Sequence, residues 1–170
     1  MPPRLRKLVL TVHIATSVGW LGAVAAYLAL DVTAVTSEQV ELVRAAYRAM
    51  ELTVTSAIVP LAVASVLVGI VNALGTPWGL FRHYWVLVKL VLTLAATAVL
   101  LVEAPRVRGL ADAAAAATDP RDLPGTLAHS VGGLVVLLTV LALSTYKPRG
   151  VTGYERKRRR RDKLVSTVAT

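Results

Sequence analysis

Four long, uninterrupted apolar stretches constrain this chain more than any other feature of its sequence. They cover residues 8–30, 52–74, 84–102 and 127–146. A helix of about 20 apolar residues crosses the hydrocarbon core of a bilayer, and stretches without alternation are typical of helices rather than of barrel strands. The chain is 55% hydrophobic with a mean hydropathy of +0.62, which is too apolar for a soluble domain. The sequence therefore predicts an all-α membrane protein, in which residues 1–150 form an up-down bundle of four transmembrane helices.

Basic residues are concentrated on one side of the predicted spans. Arg4, Arg6 and Lys7 precede the first span, and nine Lys or Arg residues follow the fourth. Since an excess of Lys and Arg marks the cytoplasmic side of a membrane, both termini are expected in the cytoplasm. The formal net charge of +9 is therefore mainly an orientation signal.

The last segment, residues 151–170, is predicted to be a disordered basic tail, and its densest charge run is Glu155–Lys163. Two interpretations stay open. The run either attracts anionic lipid headgroups, at roughly 1 kcal/mol per basic residue near the surface, or is a solvated tail that only enforces topology. No aromatic or glycine pattern accompanies it, so a nucleic-acid partner is not expected.

Two local signals refine the second span. Residues 36–39 read Thr-Ser-Glu-Gln, which resembles a capping box that opens a helix through Met50. Apolar residues recur at helical spacing in this segment, so it is expected either to lie on the outer surface or to extend the second span. Pro60 is expected to kink that span, because proline cannot donate the backbone hydrogen bond of a helix interior.

Ionisable residues inside membrane helices are costly and are candidates for function. His13 and Lys89 are predicted at similar depths from the cytoplasmic side, with Trp20 on the face of His13 and Trp85 on the face of Lys89. No Asp or Glu lies inside the four stretches, so Lys89 must snorkel to the headgroups, bind an anionic group or lose its proton. The alternative is structural: an interior histidine with a hydrogen-bonded neighbour and a snorkelling lysine. His83 lies at the cytoplasmic edge and is expected to face headgroups.

His129 is the remaining histidine and is predicted at the outer end of the fourth span. Asp31, Glu51 and Glu103 are predicted at a similar height, and an imidazole with carboxylates suits a divalent metal. The chain has no cysteine, which excludes thiolate-ligated metal sites, and only two methionines, which disfavours a copper role. No serine–histidine–acid triad, phosphate-binding glycine loop or paired carboxylate indicates hydrolysis or phosphoryl transfer.

Three segments carry a resemblance to known families. Residues 4–22, 81–90 and 144–150 resemble an uncharacterised family of small bacterial four-helix integral membrane proteins. More distantly, the chain is similar to the copper-resistance-D-like group and the HemJ-type protoporphyrinogen oxidases, which share a histidine before a Trp-bearing small-residue stretch (here His13 and Trp20) and a Trp four residues before a Lys (here Trp85 and Lys89). The resemblance implies a bacterial cytoplasmic membrane, functional roles for His13 and Lys89, and a bound haem b.

Three functions follow as hypotheses. The first is a haem b protein with a redox role, in which His13 is an axial ligand, Lys89 is the second ligand or pairs with a propionate, and His83 is the substitute ligand. The second is a non-enzymatic membrane subunit or scaffold that binds a partner or lipid. The third is a small transporter, which the lack of an intramembrane carboxylate disfavours. The sequence leaves open whether the partner is another membrane protein or a second copy of the chain.

Overall fold

The computed structural model describes residues 1–75 and 84–146, and all regular structure in this part of the chain is helical. Five α-helices follow one another, with a π-helical segment between α2 and α3. Their bounds are α1 Pro3–Thr36, α2 Val40–Thr53, π segment Val54–Ile58, α3 Val59–Leu74, α4 Tyr84–Ala116 and α5 Leu127–Tyr146. A 3₁₀ turn at Pro120–Asp122 precedes α5. His83 and the basic tail 151–170 lie outside the described residues.

The four predicted spans are confirmed as helices long and apolar enough to cross a membrane. The second span consists of α2, the π segment and α3, which form one helical stretch, Val40–Leu74. α1, the second span and α4 have 34, 35 and 33 residues, or about 50 Å each at 1.5 Å per residue. α5 has 20 residues, which is about the 30 Å of a hydrocarbon core. Three of the helices therefore extend well beyond the bilayer-spanning length.

The spans pack as an up-down ring. α1 contacts the second span and α5, and α4 contacts the same two neighbours. Below, the end that holds residues 37–39 and 117–126 is called the capped end, and the end that holds Met1 and Tyr146 is called the terminal end. This arrangement places every span antiparallel to its neighbours in the ring.

The extra helix length at the capped end forms a cap with its own core. Val43, Tyr47 and Met50 of α2 and Ala114 of α4 are almost completely buried there. Their spacing on α2 matches the helical periodicity of the sequence, because one face of this helix packs against α1 and α4. By contrast, large apolar side chains farther along the spans, such as Val91, are exposed. The chain thus buries a soluble-type core outside its lipid-facing section.

The predicted capping box does not form, and this expectation was wrong. α2 begins at Val40, its N-cap is Gln39, and no side chain caps the helix. The physical reason is that Thr36 still belongs to α1, where its hydroxyl donates to the Val32 carbonyl at 2.7 Å. Ser37 instead accepts the Gln39 backbone N–H at 3.1 Å, so the hydroxyl stabilises the turn between two helices.

The π segment lies immediately before the proline of the second span. Val54–Ile58 is π-helical, and Pro60 is the second residue of α3. A proline leaves the carbonyl four residues earlier without its helical donor, and wider i→i+5 turns are one way in which helices accommodate such a disruption. Val54 and Ile58 are both buried, so the altered register still directs side chains into the bundle.

Polar contacts tie the loops of the cap together. Arg44 donates to the Ala114 and Ala117 carbonyls at 3.1 and 2.9 Å, which satisfies the end of α4. Arg121 pairs with Asp119 at 2.6 Å and reaches Glu38 of the other loop at 3.4 Å. Hydrogen bonds from Arg121 lower the pKa of the Asp119 carboxyl to about 2, so the Arg121–Asp119 ion pair persists well below neutral pH.

Candidate functional site

A cavity of about 370 Å³ lies among the spans in the half of the bundle nearer the capped end. Its lining on α5 runs from Ala128 to Leu137, which corresponds to roughly 15 Å along the helix axis. Trp20 and Tyr27 of α1 form one wall, and Val54 and Ile58 of the π segment form another. Ligand pockets in proteins are typically about 300–1,000 Å³ with mainly apolar walls. The cavity therefore has the size and lining of a site for a small hydrophobic ligand.

Small residues on facing helices create the space. Ala96 and Ala104 of α4 face Gly132 and Gly133 of α5 across the cavity. A β-carbon added at Gly132 would meet no atom within 4 Å. Val99, which also lines the cavity, is 54% exposed. The cavity wall at Val99 therefore reaches the outer surface of the bundle.

An acid–imidazole pair marks the polar end of the cavity. The Glu103 carboxylate lies 3.7 Å from Nε2 of His129, and both residues line the cavity. The Glu103 side chain is only 17% exposed, whereas that of His129 is 48% exposed. Arg106 contacts both carboxylate oxygens of Glu103, at 3.0 and 3.1 Å. The pair combines a hydrogen-bond acceptor with an imidazole, next to otherwise apolar walls.

A buried hydrogen-bond cluster behind this pair holds the start of α5. Asp31 is 0% exposed. Its carboxylate accepts hydrogen bonds from the Thr126 backbone N–H at 3.1 Å, the Thr126 hydroxyl at 2.8 Å and the Ser130 hydroxyl at 2.8 Å. The Tyr27 hydroxyl joins the cluster through Thr126 at 2.8 Å. A carboxylate in this position satisfies orphan donors at a helix N-terminus and interacts favourably with the helix dipole.

The carboxylates expected near His129 have separate partners. Glu51 pairs with Arg48 and, at 3.9 Å, with Arg108, whereas Asp31 is committed to its cluster. Of these three carboxylates, Glu103 is the one that pairs with His129. Within residues 1–75 and 84–146, no group of three or more His, Cys, Asp or Glu side chains is arranged to hold a metal ion.

His13 lies nearer the terminal end, against α3. A β-carbon on Gly69 would approach Cε1 of His13 to 2.9 Å, so the glycine makes room for the imidazole. The ring also lies beside the Ser65 backbone and close enough to Lys89 for an electrostatic interaction. Its buried Nδ1 atom has no hydrogen-bond partner among the described residues. The side chains of His13 and Lys89 therefore lie within electrostatic range of each other.

Of the other residues singled out in the sequence, Trp20 lies on the cavity wall, whereas Lys89 and Trp85 lie away from the cavity. Lys89 donates to the Ser144 hydroxyl of α5 at 3.0 Å. Trp20 lines the cavity, whereas Trp85 is partly buried in the first turn of α4. Neither His13, Lys89 nor Trp85 belongs to the cavity lining. The structure therefore separates the histidine and lysine of the sequence hypothesis from the space that a ligand would fill.

The sequence placed Asp31 and Glu103 near the height of His129 as possible metal ligands, but it did not predict the hydrogen bonds of Asp31 or the cavity beside Glu103. Both lie beyond the predicted spans 8–30 and 84–102 by only one residue. That position is a usable signal, because an acidic side chain at the edge of a span must find donors or water. The hydroxyl residues Thr126 and Ser130 at the start of the fourth span supply those donors.

No protein-family model matches the chain, and neither a curated protein nor a solved structure shows a significant match. The resemblance to the HemJ-type group therefore stays a prediction. What can be said of function comes from the residues and their arrangement.

Proposed function

We propose that this protein is a multi-pass membrane protein that binds an amphipathic lipid-like molecule in the cavity between α4 and α5. The apolar cavity of about 370 Å³ with a single polar end is the observation that carries the proposal. A hydrocarbon chain lies against Leu92, Val99 and Val136, and the polar group of the ligand faces Glu103 and His129. This function corresponds to the membrane subunit or scaffold that binds lipid, rather than to an enzyme.

The exposed cavity wall at Val99 supports entry of the ligand from the bilayer. A ligand dissolved in the membrane reaches the cavity without crossing water, and its chain exchanges one apolar environment for another. Because little hydrophobic free energy is gained in such a transfer, shape and the polar end must supply the selectivity. A site about 15 Å long at 1.5 Å per residue spans roughly one leaflet of the hydrocarbon core.

Filling the cavity tests this proposal. In a background with Trp78→Phe and Trp85→Phe, we expect Gly132→Leu to raise at least tenfold the concentration of brominated phosphatidylcholine that half-saturates the quenching of Trp20, because the leucine occupies the space of the ligand. Gly22→Leu is the matched control: Gly22 also has no atom within 4 Å of an added β-carbon, but it does not line the cavity. Equal quenching in both variants and the unaltered protein would contradict lipid binding in this cavity.

The proposed location is the bacterial cytoplasmic membrane, with both termini in the cytoplasm. The positive residues in the first turns of α1 and in the sequence after α5 support this orientation. The capped end and the polar end of the cavity then face the outside of the cell. Contacts between the basic tail and anionic headgroups belong to the same proposal.

A second candidate function is binding of haem b, and one observation favours it. The buried Nδ1 of His13 has no partner among the described residues, as expected of an imidazole that awaits a ligand. His13 would then be the axial ligand, and haem would bind on the α3 side of the bundle outside the described cavity, which His13 does not line, whereas Lys89 is engaged by Ser144. Haem b would supply one-electron chemistry when bound.

The visible spectrum tests haem binding. We expect detergent-purified protein, oxidised in air and then reduced with dithionite, to show a Soret band and sharp reduced bands with near-stoichiometric haem. His13→Ala is expected to remove at least nine-tenths of the haem, while His129→Ala retains it. A featureless spectrum after expression with ample haem would exclude this second function.

A further inference from the structure

We propose that the polar end of the cavity selects a neutral, planar headgroup with oxygen atoms, and that the ligand is an isoprenoid quinone or its quinol. This inference rests on the proposed lipid binding and names the class of ligand.

Few polar groups at the cavity are free to recognise a ligand. The hydroxyls of Thr126 and Ser130 already donate to Asp31, and the Tyr27 hydroxyl is bonded to Thr126. Glu103 and His129 remain, with the carboxylate and Nε2 3.7 Å apart. This separation is longer than a hydrogen bond, so both groups retain capacity for a third partner. The headgroup therefore meets one acceptor and one imidazole, which donates or accepts according to its tautomer.

The charge at this end disfavours an anionic headgroup. Glu103 is the acidic residue of the cavity lining, and its side chain is only 17% exposed. Its carboxylate would repel a lipid phosphate. Arg106 is directed to Glu103 and its side chain is 67% exposed, so its charge offsets the carboxylate rather than facing the cavity. A neutral headgroup avoids both the repulsion and the cost of bringing a charge out of water.

The shape of the site favours a flat group. Ala96 and Ala104 of α4 and Gly132 and Gly133 of α5 all line the cavity, so part of its wall carries no side chain larger than a methyl group. A quinone ring is planar and neutral, and its carbonyl oxygen accepts a hydrogen bond from the imidazole. The hydroxyl of the reduced ring donates to the Glu103 carboxylate. One donor and one acceptor therefore bind both oxidation states, and the hydrocarbon chain fills the apolar part of the cavity.

Titration with decylubiquinone tests the inference. The full chain is placed in phosphatidylcholine nanodiscs with Trp78→Phe and Trp85→Phe, so that Trp20 on the cavity wall reports binding. We expect saturable quenching, and we expect His129→Leu to raise the apparent Kd at least tenfold. Thr139→Leu is the control, because Thr139 is an exposed polar residue of the same helix that does not line the cavity.

Brominated phosphatidylcholine distinguishes the two levels of the proposal. We expect His129→Leu to leave its quenching of Trp20 unchanged, because the brominated hydrocarbon chain occupies the apolar part of the cavity while the phosphate headgroup, which Glu103 repels, stays away from the imidazole. If His129→Leu and the parent bind decylubiquinone equally, the quinone inference is overturned and lipid binding stands. If neither decylubiquinone nor brominated phosphatidylcholine quenches Trp20 saturably, the proposed function itself fails. It also fails if Gly132→Leu leaves the quenching by both probes unchanged.

Discussion

Replacing Asp31 by alanine is expected to lower the free energy of unfolding by about 3–5 kcal/mol, since the loss leaves buried donors without an acceptor. Three hydrogen bonds are removed at once, from the Thr126 N–H and from the hydroxyls of Thr126 and Ser130. The backbone N–H cannot rotate towards water, so at least this donor stays unsatisfied. Thr126 and Ser130 line the cavity, and ligand binding is expected to weaken as well.

Thermal unfolding in bicelles, followed by circular dichroism, measures this effect. Asp112→Ala is the matched control: it removes the same carboxylate from an exposed site on α4 and is expected to change stability by no more than about 0.5 kcal/mol. Asp31→Asn retains one acceptor oxygen and is expected to fall between the two. Similar unfolding temperatures for Asp31→Ala and Asp112→Ala would show that the cluster does not stabilise the start of α5.

Tyr47→Ala in the cap is expected to lower the free energy of unfolding by a comparable amount. Tyr47 is 1% exposed, and its hydroxyl donates to the Leu123 carbonyl at 3.2 Å. Truncating a fully buried aromatic side chain costs about 3–5 kcal/mol, through lost burial and the cavity that is left. We expect the full loss of stability because, in the proposed orientation, the cap lies outside the bilayer and unfolds into water. Hydrogen exchange of the amides in α2 is the sensitive measurement, since the cap is expected to open before the spans separate.

A lipid-facing residue supplies the control for the Tyr47 substitution. Leu101 of α4 is 50% exposed, and Leu101→Ala is expected to change amide protection in α2 by less than about 0.5 kcal/mol, because lipid chains are as apolar as leucine. Tyr47→Phe removes only the hydroxyl and is expected to cost about 1 kcal/mol. If the α2 amides are as strongly protected from exchange in Tyr47→Ala as in Leu101→Ala, the cap has no independent core.

The membrane spans and the cap were both visible in the sequence, for different reasons. Spans of this length follow from the thickness of the bilayer, which any apolar stretch must match. The helical spacing of Val43, Tyr47 and Met50 predicted one buried face on α2, and these side chains are buried. The capping box at residues 36–39 was wrong because α1 continues through Thr36, and tertiary packing of the cap favours the longer helix.

The candidate site was only partly predictable. The sequence analysis emphasised His13 and Lys89 because ionisable residues are rare in apolar helices, and the structure brings the two side chains within range of an electrostatic interaction. The cavity exists because Gly132 and Gly133 have no side chain and Ala96 has only a methyl group. Small residues in membrane helices usually mark close packing, so the sequence pattern gives no sign of whether two such surfaces meet or leave a gap.

The sequence by itself determined the class of protein, the four spans and the charge asymmetry on which the proposed orientation depends. These are properties of single segments in contact with a solvent, either lipid or water, and each can be evaluated along the chain. Only the tertiary structure decided that Asp31 holds the start of α5, that Glu103 meets His129, and that a cavity opens beside them. Each of these depends on how two helices are rotated and displaced against one another. In a bilayer that relative placement comes from packing and a few interhelical hydrogen bonds, because the hydrophobic effect no longer distinguishes one apolar face from another.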